Sequence, residues 1–178
     1  MMRLDGRPPA GDHQTMTTTD KDDLASQARD LLQRQQQGVL STISVHRAGY
    51  PYGSLTPYAL ARAGAPLILI SALAAHTQNL IADGRASLFI AADEDSGDPQ
   101  AGTRITLLGR FARVPAEELA DARTRYAARL PRAAANSQTP DFQIWEMTVE
   151  AVRLVAGFGK IGWLDGGEIL PIRDSPTS

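Results

Sequence analysis

Cysteine is absent from all 178 residues, which removes disulfides, thiolate zinc sites, iron–sulfur clusters and cysteine nucleophiles together. Redox chemistry, if any, must come from an organic cofactor or from haem. Long apolar runs are also missing. No stretch approaches the roughly 18 residues of a membrane-crossing helix, and the opening Met1-Met2-Arg3-Leu4-Asp5-Gly6-Arg7-Pro8-Pro9 has no apolar segment like that of a secretory signal. The expected location is cytoplasmic, with no membrane partner. Charge of one sign is scarce: 18 basic residues oppose 20 acidic ones, net −2, and no Lys/Arg run occurs, so nucleic acid is not expected as a partner either.

What is present suits one domain. Apolar residues make up 43% of the chain, enough for a core at this length. Residues 1–18 are polar, rich in Gly, Pro and Thr and aperiodic, and read as a disordered tail; 19–178 read as the folded domain. Thr19 and Asp22 look like a capping box, and Leu24, Ala28, Leu31 and Leu32 keep helical spacing up to a stop at Gly38. Strands are expected over 39–45 and 52–60 with a turn between them, then over 67–70, 86–91, 104–114, 142–149 and 151–156. Helices are expected from about Leu73 to Gly84 and between Pro115 and Pro131, followed by a polar link to Pro140. Six or seven mostly antiparallel strands with helices inserted singly imply a β-barrel with flanking helices, an α+β arrangement.

Several motifs have ordinary explanations. Gly157-Phe158-Gly159-Lys160-Ile161-Gly162 fits the dinucleotide fingerprint literally, but no helix is expected after it and Trp163-Leu164-Asp165-Gly166-Gly167 reads as a turn. Asp93, Asp95 and Gly97 resemble part of a calcium loop without its distant Glu, so 93–99 is expected to be a solvated loop. His13, His46 and His76 share no metal-site spacing, no metal site is expected, and no Gly-x-Ser-x-Gly elbow occurs.

The informative segment is Ser71-Ala72-Leu73-Ala74-Ala75-His76-Thr77-Gln78-Asn79-Leu80. A helix start offers unsatisfied N–H groups and partial positive charge, and here it carries Ser71, His76, Thr77 and Asn79, a set suited to cradling an anion. The same residues also fit a plain helix cap with His76 in solvent. A protonated His near a helix start costs roughly 0.3–1 kcal/mol unless an anion accompanies it.

Leu40-Ser41-Thr42-Ile43-Ser44, Gly49-Tyr50-Pro51-Tyr52-Gly53-Ser54, Ile70 to Leu80, Arg104-Ile105-Thr106-Leu107-Leu108-Gly109 and Gly157-Phe158-Gly159 occur in one order. That order resembles the pyridoxamine 5′-phosphate oxidase-like FMN-binding split barrels, in their haem-utilisation-related branch. The resemblance runs from about Gly38 to Leu164. It implies a homodimer with two FMN sites built from both chains. Gly53 and Ser54 would lie along the flavin, while Ser71, His76, Thr77 and Asn79 would meet its phosphate. Arg104 and Thr106 would lie on the cofactor-facing strand, and Phe158, Gly159, Lys160 and Trp163 would close the site from the partner. Lys160 and Arg104 are the cations available to a reduced flavin. The implied function is an FMN-binding flavoprotein, an FMN-dependent oxidoreductase acting on a small molecule. The alternatives are a haem-binding or haem-utilisation protein and a non-catalytic flavin-binding module. Haem-degrading members of the branch carry an iron-ligating histidine near the C-terminal glycine motif, whereas no histidine follows His76 here. This departure ranks haem behind flavin. The chain also stops before the extra C-terminal domain of longer relatives.

Overall fold

The computed structural model describes residues 18–92, 101–136, 139–157 and 160–170. Most of the expected tail, the acidic stretch 93–99 and two candidate site residues, Phe158 and Gly159, lie outside the described residues. Helix α1 (Thr18–Arg34) comes first, and its residues Leu24, Ala25, Ala28, Leu31 and Leu32 form one buried stripe. It opens at Thr18, so Thr19 lies within the helix. Gly38 does not end it. That glycine sits inside β1 (Gln37–Ile43), where a Cβ would stand 2.7 Å from the Phe89 carbonyl. Its missing side chain therefore serves a close strand approach.

The remaining strands are β2 (Pro51–Leu60), β3 (Pro66–Ser71), β4 (Arg85–Ala91), β5 (Arg104–Arg113), β6 (Phe142–Ala156) and β7 (Lys160–Asp165). Every pairing is antiparallel. The order is β3-β2-β1-β4-β5-β6-β7, and β3 also pairs with β6. Six strands thus close a barrel, and β7 extends the sheet beyond β6. Closure removes the free edges of an open sheet. Among the described residues, no helix is long and apolar enough to cross a membrane.

Two strands expected over residues 142–156 are one strand of 15 residues. Leu108 pairs with Ala151 and Gly109 with Val149, which leaves Glu150 bulged out of the ladder. That extra residue breaks the alternation in the sequence without ending the strand. Pro131, expected only as a stop, also opens the short α4 (Pro131–Asn136), since its missing N–H costs nothing at a first helical position. The expected turn at 163–167 is the end of β7 followed by α5 (Gly166–Ile169), closed by a capping box between Asp165 and Glu168.

Inward residues of the barrel, among them Leu40, Tyr58, Ile68, Leu88, Ile105, Leu107, Met147 and Val152, form one core cluster with the α1 stripe. Helix α3 (Leu119–Arg129) covers a second cluster of Ala59, Leu67, Val114, Tyr126 and Ile144. Helix α2 (Ala75–Ala82) links β3 to β4, which are not neighbours in the ring. It must therefore cross over β2 and β1, and it packs beside β1.

Candidate functional site

The side chains at the start of α2 are held by the protein itself. Thr77 is fully buried, and its hydroxyl donates to the Ser71 carbonyl at 2.6 Å. Asn79, also buried, accepts from the Val45 N–H at 2.9 Å and donates to Thr42 Oγ1 at 2.9 Å. Both of its amide ends are therefore engaged in pinning α2 to β1. Ser71 donates to Asp141 Oδ2 at 2.6 Å and accepts from the Leu73 N–H at 3.1 Å. The Ser71 hydroxyl, followed by that of Thr139, holds the Asp141 carboxyl below its usual range. A carboxylate thus stands where an incoming anion would approach Ser71.

His76 differs from these. It is half-buried, and its Nδ1 lies 3.2 Å from Ser54 Oγ. Desolvation pushes its pKa below the ordinary histidine value, so the ring is neutral at pH 7. If Nδ1–H donates to Ser54, Nε2 keeps a bare lone pair suited to a metal ion or a donor group. Ala75 and His76 occupy the first helical positions, where backbone N–H groups have no intrahelical acceptor. Residues 71–82 contain no Lys or Arg.

The other candidates lie across the outer surface. Leu55 pairs with Val39, Val39 with Phe89, Phe89 with Thr106, Thr106 with Arg153 and Arg153 with Trp163. This forms one outward-facing row over β2, β1, β4, β5, β6 and β7. Leu55 is 67% exposed and Trp163 53%, while Val39, Phe89 and the neighbouring Leu108 are each exposed by more than a third. Gly53 shares the Leu55 face of β2, whereas Ser54 pairs with the inward Leu40, so Ser54 and the His76 it meets lie on the opposite face at that end. Arg104 and Thr106 lie towards the Trp163 end, with Arg104 donating to the Gly102 carbonyl at 3.2 Å. The two ends are five strand spacings apart, about 24 Å along the curved sheet at about 4.8 Å each. Within one chain they are two separate groups.

Lys160 stands apart from both, since its ammonium pairs with Asp23 of α1 at 2.6 Å. Arg153 is the residue that sequence reasoning passed over. Its guanidinium carbon lies 5.4 Å from the centre of the Trp163 ring, within cation–π range. Only the register of β5, β6 and β7 reveals that contact, because Arg153 and Trp163 belong to no local motif.

Residues 19–169 match the family model for the CREG β-barrel. The chain is 36% identical over 131 residues to the chloroplastic protein of Arabidopsis thaliana named "Non-canonical heme oxygenase HOZ", covering 74% of this chain and 39% of that protein. The chain belongs to the CREG β-barrel family. Its fold is that of the pyridoxine phosphate oxidase-like split barrels. A heme binding protein from Mycobacterium smegmatis matches at 34% identity and a TM-score of 0.76, covering 82% of this chain and 59% of the other. The chain therefore spans less than two thirds of the length of both relatives. A general stress protein 26-related protein of the pyridoxinephosphate oxidase family from Clostridium acetobutylicum matches at 13% identity with a TM-score of 0.61, covering 83% and 98%, a likeness of fold alone.

Proposed function

We propose that this CREG β-barrel protein binds haem as a homodimer, with each site assembled from two chains. The observation that carries this reading is the exposed row itself, with Leu55, Val39 and Phe89 contiguous at one end and Arg104, Thr106 and Trp163 towards the other. Soluble monomers rarely expose a contiguous apolar strip of this kind. A two-fold dimer packed strip on strip would set the Leu55 end of one protomer, whose β2 carries Ser54 and His76 on its other face, over the Arg104–Trp163 end of its partner, giving two equivalent sites.

The residues fit haem. A flat macrocycle with two carboxylates asks for an apolar slot, cations at its edge and one neutral imidazole at the iron. Val39, Leu55, Phe89 and Trp163 would supply the slot, and Arg104 with Thr106 the polar edge. Ser54 would fix the His76 tautomer and leave Nε2 to the iron of a haem that reaches past the edge of β2 at residues 51–57, which β3 does not pair. Bound haem would supply redox and ligand-exchange chemistry. The chain's own contribution is to bind, orient and exclude water. That two relatives at 34% and 36% identity carry heme binding or heme oxygenase in their names supports this order of readings.

FMN is the second reading, favoured by the open N–H groups of Ala75 and His76 at the start of α2. A phosphate dianion is a poorer fit there. Thr77 and Asn79 are engaged internally, Ser71 faces a carboxylate, and no Lys or Arg lies in 71–82. The donors left to a phosphate are the two amides, Ser54 and the His76 ring. On this second reading the protein is an FMN-dependent oxidoreductase with Lys160 and Arg104 as cations near the flavin, and Lys160 must first leave Asp23. Parallel titrations of the purified chain with haem and with FMN decide the order. A saturable Soret shift at one haem per chain is expected. No Soret shift, together with tight FMN binding, would reverse it.

A further inference from the structure

Resting on the haem-binding reading, we propose that Arg153 is a specificity-determining residue that recognises a ligand carboxylate on the outer face of β6. Arg153 lies opposite Thr106 on one side and Trp163 on the other, in the middle of three neighbouring strands. Its guanidinium rests over the Trp163 ring, 5.4 Å from the centroid. Stacking fixes the plane of a guanidinium and leaves its in-plane N–H fork available, and a carboxylate is the group that matches such a fork. Among the described residues, no acidic side chain lies within ion-pair distance of Arg153.

The surroundings select the ligand class. Arg104 pairs with Val155, two residues along β6 from Arg153, so the two arginines are diagonal neighbours on one face. Phe89 and Trp163 flank them with exposed apolar surface. Two cations at one side of an apolar strip suit a flat apolar molecule carrying paired carboxylates, and they disfavour the same molecule with its carboxylates masked.

The test compares haem with its dimethyl ester, both titrated into the full chain and read by the Soret shift. Wild type is expected to prefer the diacid by at least about tenfold, the effect of one charge-assisted hydrogen bond. R153Q should lose most of that preference while its affinity for the ester stays unchanged. R153K, which keeps the charge without the fork, should retain part of it and serves as the test if R153Q fails to fold by circular dichroism. Full diacid preference in R153Q, or in R153K alone an unaltered preference, overturns the role of Arg153 and leaves haem binding intact. Equal loss of both ligands in R153Q also overturns it, because it points to surface shape. A wild-type chain that binds neither ligand overturns the haem reading and this inference with it.

Discussion

Burial keeps the His76 ring neutral, and the sign of its pH dependence follows. The unfolded chain takes up a proton near the ordinary histidine value of about 6.5, whereas the folded chain resists until lower pH. The unfolded state therefore binds more protons in that window, and stability declines as pH falls below about 6.5. His76→Gln should remove this slope between about pH 7 and pH 5, as measured by urea unfolding at each pH. A slope unchanged in the variant would place the titration elsewhere. The same substitution should abolish the iron-ligand signature in the haem spectrum while R153Q leaves it in place. Asn79 has a different role. Asn79→Ala strands the Val45 N–H and should cost about 1–3 kcal/mol in denaturant titrations, with ligand affinity changed much less than stability. Sequence spacing put His76, Thr77 and Asn79 together on one helix, and that was readable. Which of them point inward depends on α2 crossing beside β1, a tertiary fact that local pattern does not contain.

At the scale of elements, the Arg129 side chain ties α3 to the end of α1. Arg129 donates from Nη2 to the carbonyls of Gln33 at 2.5 Å and Gln35 at 2.6 Å, where the α1 backbone runs out of helical partners. Its guanidinium also lies over the Tyr58 ring at 5.8 Å, and the Tyr58 hydroxyl donates to the Leu32 carbonyl at 2.8 Å. Arg129→Met keeps the stem but not the donors, and should lower stability by about 2–3 kcal/mol in urea without altering the Arg153–Trp163 end. On β5, facing the bulge of β6, a Cβ at Gly109 would meet the Thr148 carbonyl oxygen at 2.0 Å. Gly109→Ala should therefore fail to yield soluble folded protein, checked by expression and circular dichroism. The strands with clean alternation, such as β1 and β5, could be read from the chain directly. The continuous β6 could not, because Glu150 interrupts the period at the residue that the bulge absorbs. Helix α4 escaped notice because Pro131 signals a stop as readily as a start.

For the whole molecule, the decisive surface is the outward row of Val39, Leu55 and Phe89, with Leu108 beside it. Val39 and Phe89 face away from Leu40 and Leu88, their neighbours on β1 and β4, but exposed apolar side chains on single strands carry no message until pairing aligns them across the sheet. Phe89 lies near the middle of the row, close to where the axis of a strip-on-strip dimer would pass. Phe89→Glu points a carboxylate outward, so the barrel core is untouched and the circular dichroism spectrum should match wild type. At a dimer contact the same carboxylate would be buried opposite its own copy, and like charges in a desolvated interface cost several kcal/mol. Each 1.4 kcal/mol is tenfold, so dimer affinity should weaken by at least about a hundredfold, and sedimentation at micromolar concentration should shift from dimer to monomer. Haem binding should fall with it, because each proposed site draws one end from each chain. A folded Phe89→Glu monomer that still binds haem with wild-type affinity would mean that one end of the row suffices. A variant that remains dimeric would move the interface off this face.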